Sequence, residues 1–543
     1  FKNLNLEIPK NKIIGIVDCD QYKDNFVDLY LALQKLYKPA FQTNEKILVK
    51  SRLDYFTYSH GLILQSLQVI VNNIDISNCF ICFETTNKNI HQEYQYVHKT
   101  FSIDPTKFEI KYVEGDFARL PATNIKPYTK IKNLNSKNEI IRCLTDEQKK
   151  LLFTSKNFCI LPWISMFISI ENKVTPCCQY DDKPIGESSK NNLKEIWNNK
   201  NFQNIRKKML NDESVHGCSA CIHLEKIGKE SLRTSMNIDF SQYVHIAENN
   251  TTPQYNLKYI DSRFNNLCNL SCRMCGHSSS SSWHAPSVAI GKINKNVPVF
   301  LKAGRTNTDL YEQIIEQVDN LDRINFAGGE PLMIEDNYNL LLELDKRQHH
   351  DIALIYNTNM TNYKLKGRNI FDLWKNFKNI TIGGSLDAEG ERASYLRTGT
   401  NWDNVLDFRR KMLTLRPDID FFISATPTII NTLHLPDFHR SWVDQELIRP
   451  EQFSIQTLHD PQYLRVKTAP AYLRNKIIKK YKSHLRWLRP LDREGRATQS
   501  FESILEQLKD PVPFDAKDFW KNIDPLDKFY NANLIESFPE LVD

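Results

Sequence analysis

Apolar residues in this chain fall into short unbroken runs and into helical stripes, and the two alternate. Residues 12–18 (KIIGIVD), 47–49, 79–83 (CFICF) and 108–113 read as buried strands, with helical patterns through Phe26, Leu29, Leu31, Leu33 and Leu36 and over 62–70 between them. Strands and helices in alternation predict a doubly wound parallel α/β domain within residues 1–150, the last part of that stretch being linker. No Gly-rich phosphate loop follows these strands, so nucleotide binding has no support there.

The pattern changes after Ser155. Residues 166–170 alternate as a strand does, Glu171-Asn172-Lys173 is a turn, and the partner strand runs into Pro176-Cys177-Cys178. Asn172 suits a left-handed turn position. Helical segments at 193–197 and 202–209 lead to Cys218-Ser-Ala-Cys221, which predicts a small cysteine-rich α+β domain over 151–250. Six strand candidates follow, at 257–261, 323–326, 352–356, 380–383, 421–425 and 453–456, separated by amphipathic stretches such as Leu310, Ile314, Ile315 and Val318. They predict a partial (β/α)6 barrel of TIM type over 251–470, a fold whose chemistry gathers at the carboxyl ends of its strands. The tail, 471–543, has helical runs at 476–488 and 501–508, is interrupted by Pro511 and Pro513, and offers Phe538-Pro-Glu-Leu541 to pack against the barrel.

Composition alters this picture little. Of 543 residues, 41% are apolar and 25% charged, as in an ordinary globular protein. The net charge of +6 is spread along the chain, so no nucleic-acid partner is expected. No apolar run matches a bilayer span and the first residues lack a signal-peptide pattern, so no membrane partner is expected and the cytoplasm is the expected location. Twelve cysteines in such a chain point to metal ligation more than to disulfides.

Three of them stand in Cys268-Asn-Leu-Ser-Cys272-Arg-Met-Cys275. Three thiolates so close together can ligate three corners of an iron–sulfur cube and leave one iron without a protein ligand, whereas structural clusters close all four positions. A zinc site completed by His277 is the alternative. Two glycines after the second strand, Gly328 and Gly329, allow a close backbone approach. Ser278–Ser282 reads as a solvated loop. Near the amino terminus, Asp18 and Asp20 follow the first strand and can hold a divalent cation, with a polar turn as the alternative. Cys79 and Cys82 face opposite sides of an apolar strand and read as core.

The cysteine spacing, three residues then two, with Asn269-Leu270-Ser271 and Arg273-Met274 between, resembles the radical S-adenosylmethionine (radical SAM) enzymes. The strand ends downstream are similar in order. They are Ala327-Gly328-Gly329-Glu330-Pro331, then Asn357-Thr-Asn359-Met-Thr with Met360 in place of the family's Gly, then Gly384-Ser385-Leu386-Asp387 with Tyr395-Leu396-Arg397. The resemblance implies a [4Fe-4S] cluster on Cys268, Cys272 and Cys275, with S-adenosylmethionine on its open iron. It implies that Gly328, Gly329 and Glu330 receive the cofactor's amino group, and that Asn359, Ser385 and Asp387 lie on its binding side. Arg397 would meet its carboxylate, with Arg392 as a nearby alternative.

Upstream, Cys159-Ile-Leu-Pro162-Trp163, Pro176-Cys177-Cys178, Leu193-Lys-Glu-Ile-Trp197, Arg206 and Cys218-Ser-Ala-Cys221 resemble the Twitch domain, the shorter relative of the SPASM domain. Asn172 stands where that family often has Gly, and the domain here precedes the barrel instead of following it. Cys159, Cys177, Cys218 and Cys221 can complete one four-thiolate centre, with Cys178 the alternative to Cys177. Such a set also suits structural zinc. The resemblance implies an auxiliary iron–sulfur cluster.

Together these features imply an enzyme that cleaves S-adenosylmethionine reductively and abstracts hydrogen from a peptide or small metabolite, a net oxidation or modification. Its partners would be that substrate and a reductant such as flavodoxin or ferredoxin. A zinc-stabilised binding protein, and a bifunctional protein with a metal-dependent transferase domain at its amino terminus, are the competing classes.

Overall fold

The computed structural model describes residues 140–542 except 142, 227–229, 307 and 493–494, and before them the backbone of five strands. The chain divides into two units, 1–139 and 140–543. In the first, β1 (Ile13–Asp18), β2 (Lys46–Arg52), β3 (Cys79–Thr85) and β4 (Phe108–Tyr112) are parallel neighbours, and β5 (Phe117–Ala118) runs antiparallel to β4. The first four lie where the apolar runs put them, and β5 has no counterpart in the sequence pattern. Their order runs from β1 to β5 without reversal, so the switch point that defines a doubly wound sheet is absent among the described strands. Cys19, Asp20 and the helical patterns lie outside the described residues, as do the side chains of Asp18, Cys79 and Cys82.

The second unit is built on one sheet. Its strands are β6 (Ser165–Ile168), β7 (Lys173–Thr175), β8 (Gly186–Glu187), β9 (Tyr259–Ser262), β11 (Arg323–Phe326), β12 (Ala353–Thr358), β15 (Asn379–Gly384), β17 (Asp420–Ala425) and β18 (Phe453–Ile455). Two short pairs stand apart, β10 (Ser271–Cys272) with β16 (Arg397–Thr398) and β13 (Lys364–Leu365) with β14 (Arg368–Asn369). The order across the main sheet is β18-β17-β15-β12-β11-β9-β6-β7-β8. All pairs from β18 to β6 are parallel, and β7 and β8 continue antiparallel.

The cysteine-rich segment therefore joins the same sheet as the six strands that follow it. Ser165 pairs with Tyr259 and Ile168 with Ser262, and Met166, Ile168 and Ile260 are fully buried at this seam. The hairpin turn is made by Asn172 in the left-handed region (φ 67°), and its Oδ1 accepts from Gly304 N at 2.7 Å.

Strand periodicity separates two faces. Ile324, Phe326, Leu354, Tyr356, Ile380 and Ile382 point to a closed core under the helices. Phe326 stacks on Tyr356 at 4.5 Å, and Tyr356 meets Trp374 of helix Ile370–Trp374 edge-on. Leu340, Leu341 and Leu344 on Glu335–Lys346 share one helical stripe and fill the same layer. Each such burial contributes about 1.5–3 kcal/mol. The opposite face carries Asn325, Asn357, Thr381, Ser424 and Ser454, all half-buried except Asn357, which is exposed.

Three helices, Ala471–Leu488, Arg496–Gln507 and Ala516–Tyr530, make up most of the tail. The first two contain the expected runs. The third includes Pro525, and its amino end is capped by Asp515. Phe538 is fully buried and meets Tyr395 edge-on at 5.8 Å. Among the described residues no helix is long and apolar enough to cross a membrane.

Candidate metal centre and cofactor cavity

The loop after β9 carries the three cysteines and is braced at its own backbone. Asn266, fully buried, donates to His277 O and Val299 O and accepts from Leu301 N. Ser280 Oγ donates to Leu270 O at 2.6 Å, Ser282 Oγ to Cys268 O at 2.7 Å, and Cys268 N donates to Ser281 Oγ at 3.2 Å. The serine run is thus no solvated loop. Ser280 and Ser281 are buried because an irregular, half-buried loop leaves carbonyls and amides that need partners. His277, the fourth ligand of the zinc alternative, instead contacts Pro298 O through Nε2 at 2.8 Å.

Cys272 is placed by backbone pairing. It sits opposite Arg397 in the β10–β16 ladder, and Arg397 Nη1 lies 3.6 Å from Cys272 Sγ. Arg397 Nε donates to Asp387 Oδ2 at 2.7 Å, and the buried Asp387 also accepts from Thr426 N at 2.7 Å. The bond with Cys275 and then the Arg397 charge hold the Cys272 thiol below its ordinary value. Cys275 is pushed up by the same bond and by burial. Burial pushes Cys268 up to about 12.

The glycines after β11 act first on this loop. A Cβ at Gly329 would stand 2.2 Å from Leu267 O, and Gly328 has φ +118°. Glu330 N donates to Leu267 O at 2.7 Å, so only glycine lets β11 dock this closely on the cysteine loop. The Glu330 carboxylate turns inward and accepts from Thr358 Oγ1 and Asn359 N, both at 2.7 Å, and from Leu332 N at 3.0 Å. Burial pushes it up to about 7 against those bonds. Asn359 Nδ2 donates to Asn269 Oδ1 at 3.0 Å, tying the third strand end to the loop. Met360 occupies the left-handed region at φ 59°, the conformation for which glycine is the easy choice.

These elements surround a cavity of about 270 Å³. Cys268, Cys272, Cys275, Gly328, Gly329, Glu330, Asn359, Ser385 and Arg397 line it. Asp387 stands behind Arg397 and is not on the wall. Arg392 is engaged elsewhere, with Glu540 at 2.9 Å and His434 Nδ1 at 2.9 Å. Met274 and Asn357 also line the cavity; they stand inside the family-like segments without an assigned role. Two further liners, Arg263 and Thr426, lie outside every motif, and their only sequence signal is that each directly follows a strand. Among the described residues no three Cys, His, Asp or Glu side chains are gathered as a single bound ion requires, and the three thiols instead border the cavity.

A second group of thiols lies in the hairpin region. Beyond burial, Cys159 is raised by Cys218 and Cys221, and Cys177 by Cys178, Cys159 and Cys218. Burial and then Cys221 push Cys218 up to about 12. The four thiols lie close enough to influence one another electrostatically, and four sulfur donors are the chemistry an iron–sulfur cluster requires, although among the described residues no three are gathered around one point. Cys178 differs. After burial, its largest influences are Asp261 on β9 and Arg263 just after it, with Cys221 a smaller one. Arg206, fully buried, donates to Pro162 O and Asn198 Oδ1 and holds the opening segment to its helix, Lys200–Leu210.

Residues 262–429 match the model of the radical SAM superfamily, and residues 159–222 match that of SPASM, an iron–sulfur cluster-binding domain. Among solved structures the chain is similar to native anSMEcpe with bound AdoMet and Cp18Cys peptide, at 14% identity and a TM-score of 0.31, over 44% of this chain and 61% of that one. Native anSMEcpe with bound AdoMet is similar at 17% identity and a TM-score of 0.30, over 47% of this chain and 63% of that one. TYW1 with a lysine-pyruvate adduct bound is similar at 11% identity and a TM-score of 0.23, over 42% of this chain and 70% of that one. The chain thus spans under two thirds of the anSMEcpe chains it resembles. A comparison with curated proteins finds no match.

Proposed function

We propose that the chain is a radical SAM enzyme carrying a SPASM iron–sulfur domain ahead of the radical SAM segment, as the matches over residues 262–429 and 159–222 support. On that premise we propose that it is an oxidoreductase or modifying enzyme acting by hydrogen abstraction on a peptide or small metabolite. The observation that carries this reading is the single cavity on which three cysteines and three successive strand ends converge. Bound there, a [4Fe-4S] cluster and S-adenosylmethionine supply one-electron cleavage of a carbon–sulfur bond and a 5′-deoxyadenosyl radical.

Cys268, Cys272 and Cys275 would hold the cluster. Arg397 offsets negative charge on Cys272 while Asp387 fixes its orientation through the Nε bond. Gly328, Gly329 and Glu330 present the β11 end to the cofactor's amino group, and Ser385 and Asn359 line the adjoining wall. Leu270 and Met274 give that wall apolar surface, which helps to exclude water from a reactive radical. The parallel sheet serves as the family's partial barrel. Cys159, Cys177, Cys218 and Cys221 would hold an auxiliary cluster able to take the electron left on the substrate. A flavodoxin or ferredoxin would be the reductant.

Anaerobic reconstitution followed by assay of 5′-deoxyadenosine tests the reading. The parent protein should form 5′-deoxyadenosine under reducing conditions and Cys272→Ala should not. Equal rates in the two proteins would remove the three-cysteine assignment.

A further inference from the structure

One polar row lies on the sheet face opposite the apolar core and belongs to neither group of cysteines. Asp261 on β9 is buried, with 2% exposure, and accepts from Asn325 Nδ2 on β11 at 3.0 Å. Asn325 Oδ1 in turn accepts from Asn357 Nδ2 on β12 at 3.2 Å. Strand register sets part of this, since Asn325 lies opposite Asp261 in the parallel pair. Every amide hydrogen bond in the row points the same way, toward Asp261. That leaves Asn357 Oδ1 as an exposed acceptor at one end. Gly383 keeps the space beside it clear, for a Cβ there would come within 3.1 Å of Asn357 Oδ1.

Arg263 stands at the other end. Its Nε lies 3.7 Å from Asp261 Oδ1, which has no hydrogen-bond partner, and its guanidinium rests over Phe167 of β6 at 4.9 Å. Arg263 Nε is likewise without a hydrogen bond. Arg263 and Asn357 both line the cavity of the three cysteines, while Arg263 and Asp261 also act on the Cys178 thiol beside the auxiliary group.

We infer that Arg263, Asp261, Asn325 and Asn357 form the substrate-recognition row of this enzyme, and that its substrate is a polar molecule presenting an acceptor to Arg263 and a donor to Asn357. Amide groups of a peptide and the hydroxyls of a polyol share that chemistry. The three strands span two inter-strand steps, roughly 9–10 Å, the length of about three extended peptide residues or of one substituted sugar or cyclitol ring. An apolar substrate would cover these groups and leave them unpaired. The inference rests on the radical reading above, which supplies the hydrogen abstraction.

The test uses the full chain, reconstituted anaerobically, with extract from cells grown in deuterated medium as the probe. The extract is divided into an aqueous small-molecule fraction, an aqueous peptide fraction and an organic-solvent fraction. The readout is deuterium carried by 5′-deoxyadenosine per molecule of 5′-deoxyadenosine formed. One of the aqueous fractions should transfer deuterium, the peptide fraction identifying an amide source and the small-molecule fraction a polyol. Asn357→Leu and Asn325→Leu should each lower the ratio by about tenfold or more, the scale of one lost polar contact. Asn325→Leu also strips Asp261 of a partner, so Asn357→Leu, at an exposed position, decides the matter if the former does not fold. Transfer from the organic fraction alone, no transfer while 5′-deoxyadenosine still forms, or an unchanged ratio in Asn357→Leu would overturn the inference. Absence of 5′-deoxyadenosine in the parent would instead overturn the radical reading, and the inference with it.

Discussion

Arg273, buried between two cysteines of the loop, meets Asp527 of the last long helix at 2.5 Å. Its guanidinium lies 3.8 Å over the centroid of Tyr395, whose hydroxyl donates to the same carboxylate at 2.9 Å. Arg273 Nε donates to Tyr395 O at 2.9 Å, and Asp527 also accepts from Leu534 N. The carboxyl-terminal tail is therefore part of the structure that holds the cysteine motif in place.

Replacing Asp527 with Asn leaves the Arg273 charge buried without a counter-charge, a change that costs about 3–5 kcal/mol. We expect Asp527→Asn to melt at lower temperature and to bind less iron at the loop, with partial recovery in Asp527→Glu. Calorimetry and iron analysis check this, and unchanged values in both would contradict it.

Gly329→Ala places a methyl group 2.2 Å from Leu267 O, and the obstacle is backbone that cannot rotate aside. Either β11 or the cysteine loop must shift, at about 1–3 kcal/mol. The expected result is a folded protein that loses most of its 5′-deoxyadenosine formation. Activity equal to the parent would show that the close docking is dispensable.

Glu330 gives a pH dependence with a definite sign. Burial lifts its carboxyl from 4.5 to about 7, so the folded state binds the proton more tightly than the unfolded chain does. Its contribution to stability is complete below about pH 4.5 and is lost as pH rises through about 7. The loss is roughly 3 kcal/mol. In cluster-free protein, denaturant melts across that window should show declining stability for the parent and a flatter profile for Glu330→Gln. Parallel profiles would exclude Glu330 as the source.

Cys177 and Cys178 are adjacent but weighted differently: Cys177 is raised by Cys178, Cys159 and Cys218, whereas Cys178 is influenced first by Asp261 and Arg263 and only then by Cys221. Cys177→Ala should lose the auxiliary cluster, roughly four irons per chain, while Cys178→Ala keeps it. Iron and zinc analysis of both variants checks this. Equal iron in the two would reverse the assignment, and zinc in place of iron would favour a structural site.

Alternation of buried and open positions is a local property of a strand, so the sequence determined all six main strands to within two residues, from Tyr259–Ser262 to Phe453–Ile455. Spacing likewise drew attention to Cys268, Cys272, Cys275 and Gly328–Glu330, because their chemistry depends on near neighbours. Contacts between distant segments carry no such local mark. The pairing of β6 with β9 arises from apolar strands closing a common core, and nothing in residues 165–168 specifies that partner. The apolar runs of the first unit located four of its five described strands but not their order. Ser280–Ser282 looked like solvent-facing serines until the backbone groups of the cysteine loop were seen to need them. Asp527 and Arg263 are ordinary charged residues in the sequence. Only the tertiary structure, by burying Arg273 against Asp527 and bringing Arg263 to the cavity of the three cysteines, decides that one anchors the cysteine loop and the other lines its cavity.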